Sequence, residues 1–242
     1  LKKWLHPYIG ADEFIKGKKR WCLWLKHASP KDIMNSKILS EKVEAVRQFR
    51  LSSKAKTTNG YAKVPQLFAQ ITQPDDVDFL IIPSVSSERR RYVPIGFATS
   101  DVISSNAVQI VPNATLYHFG VLTSNVHMAW MRAVCGRLEM RYRYSKEIVY
   151  NTFPWPNPTD AQKAKVEQTA QAILDARALY SDCSFADMYG EKMYLFPELL
   201  KAHQNNDRAV MQAYGFSKEH PAYSSESACV AELMKMYQNL TE

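Results

Sequence analysis

Three charged residues at alternate positions, Glu139, Arg141 and Arg143, are the side chains of this sequence best suited to recognition chemistry. They stand in Gly136-Arg137-Leu138-Glu139-Met140-Arg141-Tyr142-Arg143-Tyr144-Ser145, where charge and bulk alternate. A strand turns successive side chains to opposite faces. The pattern therefore predicts one strand with Leu138, Met140, Tyr142 and Tyr144 packed and Glu139, Arg141 and Arg143 facing out. A guanidinium donates bidentately to guanine O6 and N7, and a carboxylate accepts from cytosine N4, so such a face could read base edges in a duplex major groove. The same pattern also fits an amphipathic edge strand whose charges are only solvated.

Some element must fix where this strand begins. A helix from about Ser124 to Cys135 stops at Gly136, which reads as a left-handed cap delivering the chain into the strand. Upstream, β-rich runs occur at Trp21–Leu25, Leu67–Ile71, Phe79–Pro83, Tyr92–Phe97, Ala107–Val111 and Leu116–Phe119. A helix opening at Ser29-Pro30, with Asp32 completing a capping box, carries Ile33, Leu39, Val43, Val46 and Phe49. Prolines at 154, 156 and 158 make an extended connector, because they supply no backbone donors. Beyond it, Thr159 caps a helix carrying Val166, Ala170, Ile173, Leu174 and Ala178. Pro197 opens another with Leu199, Leu200, His203, Val210 and Tyr214, ending at Gly215, and a last one surrounds Val230, Leu233, Met234 and Tyr237. The expected fold class is α+β: a mixed β-rich domain with a few helices over 1–155, then a small all-α module over 156–242 that buttresses it.

Charge is divided the same way. Residues 1–150 hold 23 Lys and Arg against 12 Asp and Glu, whereas residues 151–242 hold 8 against 12. A polyanion partner fits the first part and an ordinary solvated surface the second. Lys54, Lys56 and Lys63 fall in a polar stretch, Leu51–Lys63, that reads as an exposed loop able to follow a phosphate backbone. Arg89, Arg90 and Arg91 follow a Ser-Ser-Glu turn and read as the start of a strand, again suited either to phosphate contact or to solvation.

Other chemistries find little support. The sequence has no Gly-rich nucleotide loop, no G-x-S-x-G, no H-E-x-x-H and no Glu followed two residues later by Lys. Its one Asn-Pro pair runs on to Thr159-Asp160, unlike the Asn-Pro-Pro-aromatic loop of amino-methylating enzymes. His118 and His127 read as hydrogen-bonded structural histidines. Cys22, Cys135, Cys183 and Cys229 are widely spaced, which suggests buried free thiols and neither a zinc ribbon nor a disulfide framework. With 46% hydrophobic residues and no uninterrupted apolar stretch of bilayer length, the chain reads as a soluble, cytoplasmic part of something longer, with no membrane partner.

Several strings resemble, in order, the C-terminal half of the MmeI-like enzymes. They are Pro7-Tyr8-Ile9-Gly10-Ala11 with Phe14-Ile15, Ser84 through Phe97, Ala114-Thr115-Leu116-Tyr117-His118-Phe119-Gly120, His127-Met128-Ala129-Trp130, the Gly136–Ser145 segment, Tyr150 through Pro156, and Leu200-Lys201-Ala202-His203. In that family of single-chain restriction–modification proteins, a nuclease and an adenine-N6 methyltransferase domain precede a target recognition domain and a helical tail. The resemblance implies that Glu139, Arg141 and Arg143 are base readers, and that Ala107 works together with Arg143. It also implies double-stranded DNA as partner, together with N-terminal methyltransferase and nuclease domains of the same parent chain. S-adenosylmethionine and Mg2+ would serve that parent, with no cofactor, metal or catalytic residue in this chain. Two other classes stay open. An RNA binder would want exposed aromatic platforms, whereas the tyrosines of the key strand fall on its packed face. A protein-interaction scaffold is favoured by the acidic tail.

Overall fold

The computed structural model describes residues 1–241. Its first part carries β1 (Leu5–Ile9), α1 (Ala11–Lys16), β2 (Trp21–Leu23), α2 (Pro30–Met34), α3 (Lys37–Leu51), α4 (Lys56–Gly60), β3 (Phe79–Pro83) and β4 (Val85–Ser86). Next come β5 (Gly96–Ala98), β6 (Ile103–Ser104), β7 (Val108–Pro112), α5 (Leu116–Leu122), α6 (Asn125–Val134), β8 (Gly136–Leu138) and β9 (Arg141–Arg143). A single π-helical turn, Lys146–Tyr150, precedes the connector, and α7 (Asp160–Ala178), α8 (Phe185–Met188), α9 (Pro197–Ala213) and α10 (Glu226–Thr241) complete the chain. This is an α+β fold.

Among the described residues the strands form three small sheets, centred on β1, β3 and β9. The β3 segment Phe-Leu-Ile-Ile-Pro is buried throughout, and its period of two explains how. Phe79 and Ile81 enter a small core with Val102 and Val108, while Leu80 and Ile82 enter the main core. That main core also takes Phe119, Val126, Trp130, Tyr142 and Tyr144 from the first part and Val166, Ile173, Leu199, Val210 and Leu233 from the tail. The helical tail and the β-rich part thus share one interior. Gly120 allows the close approach of α5 to α7, since a Cβ there would lie 2.7 Å from Val166 Cγ1.

A buried polar chain crosses the same interior. Arg177 Nε donates to Tyr189 Oη at 2.7 Å, which leaves the hydroxyl proton for His203 Nε2 at 2.8 Å. His203 stacks on Tyr92 with ring centres 4.2 Å apart, and Tyr92 donates to Asp207 Oδ2 at 2.6 Å. The backbone N–H of Asn125, at the start of α6, donates to the other Asp207 oxygen at 2.8 Å. Burial pushes the Asp207 carboxyl up to about 6, against the lowering pull of its bonds to Tyr92 and Asn125. It also drives His203 well below the ordinary imidazole range, reinforced by Arg177 and Arg91.

Local signals set most boundaries. Ser29 with Asp32 forms the expected capping box, and Thr159 caps α7 as expected, with Gln162 completing a box there too. Gly215 takes φ +74 just past α9, where glycine is the residue that adopts it without strain. Other expectations give way. The helix expected from Ser29 is broken in two, because Ser36 caps α3 by accepting from the Leu39 N–H, and Val46 and Phe49 are left exposed. Leu116–Phe119 is helical rather than extended, as short apolar runs fit either state and Thr115 with His118 forms a capping box. Tyr92–Phe97 is a strand only from Gly96, since Pro94 interrupts the ladder, and Leu67–Ile71 is irregular. Leu51–Lys63 contains α4 and a 3-10 turn in place of a loop. Arg50 fastens that turn by donating to the carbonyls of Tyr61, Val64 and Leu67. Cys229 is buried, and Cys22, Cys135 and Cys183 are half-buried.

Candidate nucleic-acid interface

The expected single strand from Gly136 to Ser145 is a hairpin. β8 and β9 pair antiparallel, with Gly136 opposite Arg143, Arg137 opposite Tyr142 and Leu138 opposite Arg141, so Glu139-Met140 is a two-residue turn. Directly paired residues share a face, and the turn therefore reverses the odd–even assignment made for one continuous strand. Arg137 joins Tyr142, its guanidinium carbon 4.2 Å from the ring centre. Leu138 joins Arg141 and Arg143. Tyr142 and Tyr144 are buried as expected, but Leu138 is 44% and Met140 71% exposed, which corrects their expected packing. Gly136 is no left-handed cap either: Cys135 leaves α6 in extended conformation at φ −68, ψ 150, and Gly136 opens the ladder.

Glu139 occupies the first turn position with φ +56. The other non-glycine residues at positive φ among the described ones are Asp76 and Asn113, types that tolerate the left-handed region. A glutamate there costs about 1–2 kcal/mol. Its carboxylate meets Arg141 Nη2 at 2.7 Å, with both side chains largely exposed. An open pair of this kind stabilises the fold little. A two-residue hairpin turn calls for positive φ at its first central residue, usually supplied by glycine, asparagine or aspartate, so the turn explains the conformation and glutamate is the unusual choice for it.

The hairpin is anchored from both ends. β9 is the central strand, with β4 on its other edge pairing Val85 to Arg143 and Ser86 to Tyr142. Tyr144 stacks on His127 of α6, the ring planes 6° apart, and its hydroxyl is hydrogen-bonded to His127 Nε2 at 3.1 Å. Complete burial takes the His127 imidazole down to about 3, so it is neutral. His118 caps α5. Both histidines are structural here.

Ser84 ties Ala107 to this assembly. Its N–H donates to the Ala107 carbonyl at 3.0 Å, and its own carbonyl accepts from the Tyr144 N–H at 2.9 Å. Ala107 is exposed in the turn before β7, so the fold brings it beside the strand that carries Arg143. Gln109 Nε2 donates to Ser84 Oγ at 3.1 Å. Nothing in the sequence singled out Ser84 or Gln109, because their position depends on a non-local strand pairing.

The basic clusters divide. Arg90 is half-buried, its Nη1 donating to Ser86 Oγ at 3.4 Å, and burial lowers its pKa. It faces inward beneath β4. Arg89 is exposed and ion-paired with Glu88 and Glu191, and Arg91 lies exposed with its guanidinium carbon 5.4 Å from the Tyr92 ring centre. Arg89 and Arg90 lie within a turn closed by the Arg90 N–H donating to the Ser87 carbonyl, and Arg91 follows in a bend, so none of them opens a strand. Lys54 and Lys56 are exposed at the α3–α4 junction and Lys63 at the end of the 3-10 turn after α4, away from the hairpin elements.

Comparison with known proteins matches the MmeI target recognition domain to residues 1–157 and the MmeI C-terminal domain to residues 158–242. The chain belongs to the MmeI family. A curated family relative, DNA methyltransferase A of Bacillus subtilis (strain 168), is 35% identical over 242 residues, all of this chain and 27% of the relative. The solved type IIL restriction–modification enzyme MmeI in complex with DNA is 44% identical and superposes with a TM-score of 0.93. That match covers 99% of this chain and 31% of MmeI, so the chain spans less than a third of either relative. The two family domains meet within the proline connector. No helix among the described residues is long and apolar enough to cross a membrane.

Proposed function

We propose that this chain is the sequence-reading module of a restriction–modification DNA methyltransferase. It would read duplex DNA through the major groove and position catalytic domains that lie outside it. The observation that carries the reading is the β8–β9 tip, where a strained Glu139 and an outward Arg141 and Arg143 stand on one anchored hairpin. The net positive first part supplies counter-charge for phosphates, to which Lys54, Lys56, Lys63, Arg89 and Arg91 contribute. Arg90 supports β4 from within. Ala107 and Arg143 read together because Ser84 holds their strands side by side. S-adenosylmethionine and Mg2+ serve the methyltransferase and nuclease domains of the parent, which is a cytoplasmic enzyme; this chain holds neither cofactor and carries no catalytic residue.

Binding titrations on the isolated chain test the reading. Duplex DNA binds weakly, log affinity falls linearly with log salt as counterions are released, and single-stranded RNA binds no better. Salt-independent binding, or methyl transfer from S-adenosylmethionine by this chain alone, would overturn it.

A further inference from the structure

We infer that Leu138 is a fourth reader on the hairpin, recognising the 5-methyl group of a thymine in the base pair next to the one addressed by Arg141. The inference rests on the DNA-reading role proposed above and adds an apolar determinant to a charged one.

The two-residue turn is what places Leu138 there. Because Leu138 pairs directly with Arg141, both side chains leave the same face of the ladder, the face that also carries Arg143 and the bare Gly136. Paired Cβ atoms lie about 4.5–5.5 Å apart, more than the ~3.4 Å between stacked base pairs, so the two side chains reach neighbouring pairs rather than the same one. Leu138 is 44% exposed and belongs to none of the apolar clusters among the described residues. Its side chain thus does no work for the interior. Thymine alone presents a methyl group in the major groove, so an apolar side chain held beside a guanidinium discriminates thymine from cytosine at the neighbouring position. Met140 is more exposed at 71%, but it sits unpaired in the turn on a more flexible side chain, which suits it less for a fixed contact.

The test uses the full-length parent enzyme and duplexes carrying its site, with each thymine replaced in turn by deoxyuridine, which lacks only the methyl. The wild type should lose about fourfold in affinity at one position, the value of burying one methyl-sized group. That position should adjoin the pair at which Arg141→Ala relaxes discrimination. Leu138→Ala should bind the thymine site about fourfold more weakly and no longer distinguish thymine from deoxyuridine, while melting like the wild type. Leu138→Val should keep part of the discrimination and Met140→Ala all of it. Indifference of the wild type to deoxyuridine everywhere, or discrimination retained in Leu138→Ala, would overturn the inference while leaving Glu139, Arg141 and Arg143 as readers. Equal binding of the site and a scrambled duplex by the wild type would instead overturn the DNA-reading role itself.

Discussion

Arg143 and Arg177 are the same side chain in opposite settings. Arg143 stands exposed on β9, between Val85 and Gly136, where its neighbours leave the guanidinium open. Arg177 is buried in α7, with Nε and Nη1 bonded to Tyr189 Oη and the Ile95 carbonyl and the rings of Phe119, Phe185 and Tyr189 around it. One arginine is open to solvent, and the other joins the residue before β5 to the helical tail. Residue type cannot tell them apart; the neighbours can. The hairpin keeps its charges at the surface, with Glu139 and Arg141 paired to each other, whereas the tail draws Arg177 into a buried network that leaves its Nη2 without a partner.

The largest effect expected from this contrast is on stability. Tyr189→Ala removes a buried ring and the acceptor for Arg177, and should lower the unfolding free energy by about 3–5 kcal/mol in denaturant titrations. Arg143→Ala should stay within about 0.5 kcal/mol while changing DNA preference. Similar losses for both would erase the distinction.

Acid is the next lever. His127 and His203 have folded pKa values below their unfolded ones, so both favour the fold above about 6.5 and progressively lose that contribution as pH falls. Each loss is limited to about 1.4 kcal/mol per pH unit. Asp207 has the opposite sign: its raised pKa favours the fold at low pH, and that contribution fades as pH rises from about 4 to 6. Stability should therefore fall on acidification below about 6.5, and Asp207→Asn should steepen the fall between 6 and 4 by removing the compensating group. Unfolding free energies measured from pH 7 to 4 decide this, and an unchanged slope in the variant would contradict it.

Within the hairpin the predicted effects are smaller. Tyr142→Ser should cost about 1.5–3 kcal/mol, whereas Leu138→Ser, on the exposed face, should cost no more than about 0.5 kcal/mol. Thermal melts that ranked them equally would restore a continuous strand. Glu139→Gly should raise stability by about 0.5–1 kcal/mol by relieving the positive φ, yet weaken base discrimination. A glycine that left discrimination intact would remove the functional meaning of that strain.

Residue chemistry was legible in the sequence, and chain reversal was not. Glu139, Arg141 and Arg143 stood out because charged types at period two are informative wherever they occur. The turn between them carries Glu-Met, without the Asn-Gly or Asp-Gly that usually announces a two-residue hairpin, so nothing marked the reversal that exchanges Leu138 for Arg137 on the packed face. Capping residues such as Ser29 and Thr159 were readable because they act within a single turn of helix. The Ser84 bridge to Ala107 and the chain from Arg177 to Asp207 were not, since they join residues far apart in sequence.

The central claim is that the hairpin tip reads a base pair, Glu139 accepting from cytosine N4 and Arg141 donating to the guanine of the same pair. The most direct measurement places Glu139→Lys together with Arg141→Asp in the full-length parent and maps its methylated sites across a genome. Exchanging donor and acceptor should convert C·G to G·C at one position and leave the others unchanged, while either single change abolishes most activity. An unaltered recognition sequence in the double variant would contradict the claim.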